Sequence, residues 1–212
     1  DVYKRQLQDL ERFINEPQVE MDPIVRAALV HYQFETAHPF LDGNGRLGRL
    51  LITLMLINDG VLHSCLFYPS FQFKKNRSEY YRQLTSVRER GTYEEWIEFF
   101  CNSLLESAKD SVGSLKNLVD LHNRSTATIT ENLGRTAANG QRLLGILEEH
   151  PIVDTAFIAA QLDIGRSTAS SLVKSFEELG ILRPLDESRQ RYRQYGYEEY
   201  LSILREDAEP IR

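Results

Sequence analysis

Apolar positions recur with helical spacing over most of this chain, and the breaks between them are marked by glycine, proline and asparagine. Asp22-Pro23 reads as a helix start, with aspartate as the cap and proline at the first helical position. Ile24, Ala27, Ala28, Val30, His31 and Phe34 follow on so broad an apolar surface that this helix should be buried on more than one side. It should end before Pro39. After Asp42-Gly43-Asn44-Gly45 a second helix is predicted over 44–57, closed by Asn58-Asp59-Gly60. Leu47, Leu50, Leu51, Ile52, Leu54, Met55 and Leu56 cover nearly all its sides, which predicts a central buried helix. Residues 69–75 read as a connection. A third helix over 76–88 carries Tyr80, Tyr81 and Leu84, and a fourth over 92–108 is anchored by Trp96, Phe99, Phe100 and Leu104. A polar helical connector reaches about 139, with Val112, Leu115, Leu118 and Leu121 on one stripe.

The composition changes near Asn139-Gly140. One helix follows with Leu143, Leu144, Ile146 and Leu147, then a second over 155–162 and a turn at Asp163-Ile164-Gly165. A third, over 167–179, turns Ala169, Leu172, Val173 and Phe176 inward and ends on Gly180. Residues 181–184 and 192–195 could pair as a hairpin around Asp186-Glu187-Ser188. This order is that of a winged helix-turn-helix. The expected fold class is mainly α: a helical bundle (1–108), a connector (109–139) and a small winged helix-turn-helix domain (140–212).

A length of 212 residues fits one large domain or two small ones, and 42% hydrophobic with 26% charged residues is ordinary globular composition. Two cysteines, Cys65 and Cys101, are too few for a disulfide framework and form no zinc-like cluster, so reduced, cytoplasmic, buried thiols are expected. The apolar run over 50–57 is far too short to span a bilayer, and the charged start does not resemble a signal peptide. The first residue is not Met, which suggests a piece of a longer protein. The net charge of −6 argues against a dedicated nucleic-acid binder. Arg166, Ser167 and Thr168 nevertheless begin the candidate recognition helix, and Arg183, Arg189, Arg191 and Arg193 lie on the candidate wing. Residues 141–212 hold nine basic and thirteen acidic side chains, so protein interaction or dimerisation is at least as good a reading of this domain as DNA binding.

The stretch that carries chemistry is His38-Pro-Phe-Leu-Asp-Gly-Asn-Gly-Arg-Leu-Gly-Arg49. Asn44 and its flanking glycines sit where a loop becomes a helix, and Gly43 and Gly45 let the backbone approach a ligand. The free N–H groups of a helix start suit an anion, phosphate above all. Arg46 and Arg49, three apart on the first turn, can serve the same anion, and two guanidiniums suit a di- or triphosphate. Asp42 is a lone carboxylate beside that anion, fit to hold a Mg²⁺ completed by water and phosphate. His38 is placed to take a proton from an attacking hydroxyl. Phe40 and Leu41 read as core anchors of the loop. Any of these features alone would read as a turn, a cap or a solvated face. Together they point to phosphoryl or nucleotidyl transfer.

The stretch matches the Fic signature, His-x-Phe-x-(Asp/Glu)-Gly-Asn-Gly-Arg-x-x-Arg, at every specified position. The resemblance runs from about Leu7 to Ala108, and with the C-terminal winged helix the chain resembles bacterial protein adenylyltransferases of that family. The resemblance implies a Fic-type bundle that transfers AMP from ATP to a Tyr, Thr or Ser hydroxyl of a target protein. It implies His38 as general base and Asp42 as the Mg²⁺ ligand. Gly43, Asn44 and Gly45 would lie on the α- and β-phosphates, Arg46 on the β-phosphate and Arg49 on the γ-phosphate, with Leu47 and Gly48 completing the nucleotide site. Tyr80, Tyr81 and Leu84 would form the adenine-side wall, with Arg88 at its edge. Arg49 favours AMP transfer over the phosphorylating branch, and a phosphocholine-transferring relative keeps much of the motif. A family flap hairpin and an inhibitory helix, (Ser/Thr)-x-x-x-Glu-(Gly/Asn), are not found. Glu131-Asn132 comes nearest, but position 127 is Ala127. Both are expected upstream, so the chain should bind ATP without autoinhibition and dock targets poorly. The competing readings are a DNA-binding regulator with a nucleotide-sensing Fic-like domain, and a phosphotransferase with another donor.

Overall fold

A computed structural model describes residues 2–16, 20–63, 69–186 and 193–206. The chain order is α1 (Val2–Asn15), α2 (Pro23–Ala37), α3 (Asn44–Asn58), α4 (Ser70–Lys75), α5 (Arg77–Arg90), α6 (Tyr93–Asn132), α7 (Ala137–Glu149), β1 (Ile152–Asp154), α8 (Thr155–Leu162), α9 (Arg166–Glu178), β2 (Arg183–Pro184), β3 (Gln194–Gly196) and α10 (Glu198–Glu206). The fold is mainly α. Two compact units divide between Ser111 and Val112, inside α6. Among the described residues, no helix is long and apolar enough to cross a membrane.

In the first unit α2 starts as its sequence requires. The Asp22 carboxylate accepts from the N–H of Ile24 at 2.8 Å, satisfying an otherwise unpaired helix-start amide, and Pro23 has no N–H to satisfy. The helix ends on His38, whose φ of 45° is left-handed, with its N–H returning to the Phe34 carbonyl. Arg26, near the start of α2, places one terminal nitrogen 2.5 Å from both carboxylate oxygens of Asp59, just past the end of α3. The two helices therefore run back along each other, with residues 38–43 joining them at the far end. Ala27 and Ala28 are fully buried, and their small side chains admit the aromatic side of α6. There the Trp96 indole N–H donates to the Ala28 carbonyl at 3.0 Å, and Phe100, Phe73 and Tyr80 close the core. Leu10 of α1 packs against Val30, Phe34 and Met55.

Four expectations change. The α3 helix is not buried all round: Ile52, Met55 and Leu56 face the core, while Leu47, Leu50 and Leu54 form an exposed stripe. Residues 70–75 form a short helix, buried through Gln72 and Phe73. The fourth helix and the expected connector are continuous as far as Asn132. The α1 helix, which the sequence reading left out, covers one end of the core.

The second unit has the order of a winged helix-turn-helix. The α8 helix is capped by Asp154, whose carboxylate accepts from the N–H of Phe157 at 2.8 Å. Asp163, at a left-handed φ of 55°, makes the turn into α9. Leu172, Val173 and Phe176 of α9 enter a core with Leu143, Leu144 and Ile158. The expected hairpin is present but shorter, as β2 pairs antiparallel with β3, placing Arg183 opposite Gly196. The β1 strand, unforeseen at three residues long, adds to the other side of β3, giving the order β1-β3-β2. Gly140, where composition changes, lies buried within α7: a Cβ there would stand 2.7 Å from Ile129 and 2.8 Å from Leu133.

Candidate active site

The loop between α2 and α3 is set by side-chain-to-backbone hydrogen bonds rather than by its apolar residues. Phe40 and Leu41, expected as core anchors, are exposed. Asn44 fixes the loop instead. It is buried, its carboxamide oxygen accepts from the Phe40 N–H at 2.8 Å, and its amide donates to the Phe40 carbonyl at 2.5 Å. Such a reciprocal pair ties the loop to the first turn of α3. Gly43 adopts a left-handed φ of 83°, and no side chain caps α3. The N–H groups of its first turn thus have no side-chain acceptor, and the helix start is open to an anion.

Charged groups surround that opening. The Arg46 guanidinium is exposed and lies 3.7 Å from the Asp42 carboxylate, which also accepts from the Gly43 N–H at 2.6 Å. Arg49 is half-buried, and its Nε donates to the Ser70 hydroxyl of α4 at 3.0 Å. That bond leaves its terminal nitrogens for other partners. His38 is exposed at the end of α2, with Nδ1 3.4 Å from the Glu35 carbonyl. Among the described residues no group of three or more His, Cys, Asp or Glu side chains could hold a metal ion. Asp42, a lone exposed carboxylate, fits a Mg²⁺ that takes its remaining ligands from water and phosphate.

A buried polar layer lies behind the loop. His31 of α2 stacks on Phe73 at 5.6 Å and 8°, and its Nε2 is 3.0 Å from the Tyr80 hydroxyl. Its Nδ1 lies without a hydrogen bond, as does Oε1 of Glu35, one turn further along α2. Burial lowers the His31 pKa to about 4, against a smaller raising effect of the Gly48 backbone. Burial raises that of Glu35, opposed by electrostatic interaction with Arg49 and, less, with His38. Burial also raises that of Tyr80, with Glu35 adding to the effect.

The α5 helix divides the residues expected on the adenine side between two faces. Tyr80 and Leu84 point into the core. Tyr81 and Arg88 are exposed, with the Arg77 guanidinium 5.6 Å from the Tyr81 ring.

A Fic/DOC family model matches residues 2–56, the span of α1, α2, the loop and most of α3. Over that span the chain is similar to a Fic domain. It is 35% identical over 112 residues to protein adenylyltransferase fic-1 of Caenorhabditis briggsae, covering 52% of this chain and 21% of that protein. It is 34% identical over 116 residues to the fic-1 protein of Caenorhabditis elegans, covering 54% and 22%. It is 36% identical over 97 residues to protein adenylyltransferase Fic of Drosophila ananassae, covering 45% and 18%. The chain thus spans about a fifth of the length of the curated relatives it matches. The structure of a Fic family protein from Desulfovibrio desulfuricans G20 shares the fold, with a TM-score of 0.50 and 22% identity over 92% of this chain and 54% of that one.

Glu35 and Ser70 border the Fic loop and were not singled out from sequence. Glu35 lies four residues after His31 and three before His38, on the same side of α2, a spacing that could have pointed to it. In the second unit Arg166, Ser167 and Thr168 are exposed at the start of α9. Arg193 is half-buried just before β3, and Arg191, Arg189 and Cys65 lie outside the described residues.

Proposed function

We propose that this chain transfers AMP from ATP to a hydroxyl side chain of a target protein, releasing pyrophosphate. The supporting observation is the open start of α3, which has no capping side chain and is flanked by Arg46 and Arg49, with His38 across the loop. The backbone of residues 43–45 cradles the phosphates, with the N–H groups of Asn44 and Gly45 donating, Arg46 takes the β-phosphate and Arg49 the γ-phosphate. Leu47 and Gly48 continue the site, with Tyr81 and Arg88 at the adenine side and Tyr80 and Leu84 supporting that wall from the core. The His38 imidazole accepts the proton of the target hydroxyl while its oxygen forms a bond to the α-phosphorus. The bond from that phosphorus to the bridging oxygen breaks, and pyrophosphate leaves. Asp42 would hold Mg²⁺, which supplies positive charge against the phosphates when bound. The relatives named protein adenylyltransferase support the same chemistry, and reduced thiols suit a cytoplasmic setting. Incubating the chain and a cell lysate with ATP labelled at the α- or γ-phosphorus tests this. Protein labelling from the α-position is expected, and labelling from the γ-position alone would make the chain a phosphotransferase.

A second activity, DNA binding, is supported by α9. The exposed positions Arg166, Ser167, Thr168, Ser170, Ser171 and Lys174 carry cations and hydroxyls and no carboxylate. With Arg193 at the wing they could meet phosphates and base edges, while dimerisation through this unit is the competing use. Binding to duplex DNA that weakens steeply with salt, and further on Arg166→Ala, would support it. Salt-insensitive or absent binding would remove it.

A further inference from the structure

The Fic loop has a floor as well as a rim, and the floor contains a carboxyl oxygen with no hydrogen-bond partner. Glu35 Oε1 is buried and unpartnered. The helix above it is notched by two glycines. A Cβ on Gly48 would stand 2.6 Å from Glu35 Oε1, and a Cβ on Gly45 3.8 Å from it. The same Gly45 position is 3.1 Å from Arg49 Nη1. Glu35 Oε1 and Arg49 Nη1 thus both border the Gly45 notch, without a hydrogen bond between them. Arg49 is held elsewhere by one bond only among those described, its Nε to Ser70.

We propose that Glu35 is a positioning residue that orients Arg49 from behind, so that the guanidinium meets the terminal phosphate of a nucleoside triphosphate. This rests on the nucleotide reading of the loop. A charged carboxyl oxygen buried without a partner is costly unless its charge is met, and Arg49 is the guanidinium that borders the same notch. The pull of Arg49 against the effect of burial on Glu35 points to the same coupling. With Nε held by Ser70, the attraction of Glu35 on the Nη1 side would favour one plane of the guanidinium before ligand arrives. Its other terminal nitrogen is left for the phosphate. Pre-setting a long side chain in this way removes part of the ordering cost of binding.

The test is calorimetric titration of the full chain, in Mg²⁺ buffer, with ATP, ADP and AMP for four proteins: wild type, Glu35→Gln, Arg49→Ala and the double variant. Glu35→Gln should weaken ATP about tenfold, the scale of one charge-assisted hydrogen bond, and leave ADP and AMP unchanged. In the Arg49→Ala background it should change nothing further. Glu35→Asp, which keeps the charge on a shorter stem, should restore part of the ATP preference. A Glu35→Gln effect that is equal for all three nucleotides, persists undiminished without Arg49, or is absent would overturn the proposal. A wild type that prefers ATP to ADP through Arg49 keeps the nucleotide reading standing when Glu35 proves silent. A wild type that binds no ATP removes both.

Discussion

Two buried helical glycines, one in each unit, teach opposite lessons. Gly140 lets α7 approach the end of α6, and the atoms that fill its missing Cβ position are carbons of Ile129 and Leu133. Among the described residues no buried side-chain polar atom is left unpaired there, and the glycine serves packing. Gly48 lets α3 approach α2, but the atoms at its missing Cβ are Glu35 Oε1 and His31 Nδ1, both buried and without hydrogen bonds. Unpaired polar atoms in a core are costly, and their retention beside an open helix start is what the proposed nucleotide site would explain.

The largest expected effect that separates the two regions is acid sensitivity. The His31 pKa is about 4 in the folded chain against an ordinary 6.5. Between those values the unfolded chain binds the proton and the native chain does not. Stability should therefore fall as pH drops from about 6.5 toward 4, by up to about 3 kcal/mol. Glu35, whose pKa is raised, acts oppositely: its stabilising contribution is present at acid pH and is lost as pH rises through the folded value. Urea unfolding at pH 7 and pH 5 should show the acid loss in wild type and a smaller one in His31→Gln. An equal loss in both would show that the floor is not its source. The second unit, where burial pushes the Tyr197 phenol up to about 12, contributes nothing to this acid limb through that group.

Next in size are the glycines themselves. Alanine in a helix interior usually adds about 1 kcal/mol over glycine. Here both Gly140→Ala and Gly48→Ala should instead cost about 1–3 kcal/mol, because the added carbon meets atoms under 3 Å away. Only Gly48→Ala should also weaken ATP. Equal ATP affinity in the two variants would erase the comparison. A smaller loss, about 2 kcal/mol in thermal or urea unfolding, is expected for Arg26→Ala, which removes the ion-pair partner of the largely buried Asp59. Because that pair holds the two helices far from the loop, nucleotide affinity should change little.

How much of this was legible in the sequence follows from the range of each cause. Local causes were readable: Asp22-Pro23 as a cap, the spacing of Arg46 and Arg49, and the α8–α9 turn at Asp163. Causes set by distant partners were not. The apolar residues of α3 predict burial on all sides, yet Leu47, Leu50 and Leu54 are exposed, since hydrophobic composition does not say which face a neighbour covers. The apolar character of Phe40 predicts an anchor, yet the anchoring is done by Asn44, whose side chain bonds the backbone four residues away. The β1 strand owes its existence to β3, forty residues later, and three residues carry no periodic signal of their own. Glu35 passed unnoticed because its surroundings come from α3, and only folding brings Arg49 to it.

The central claim is that the Fic loop is a nucleotide site with His38 as its base. The most direct measurement is ATP binding and α-label transfer by His38→Ala beside wild type. The variant should bind ATP within about twofold of wild type, since the helix start and both arginines are untouched. Transfer should drop about 100-fold or more, the usual contribution of a general base. Transfer that survives this substitution, or ATP binding that vanishes with it, would contradict the account.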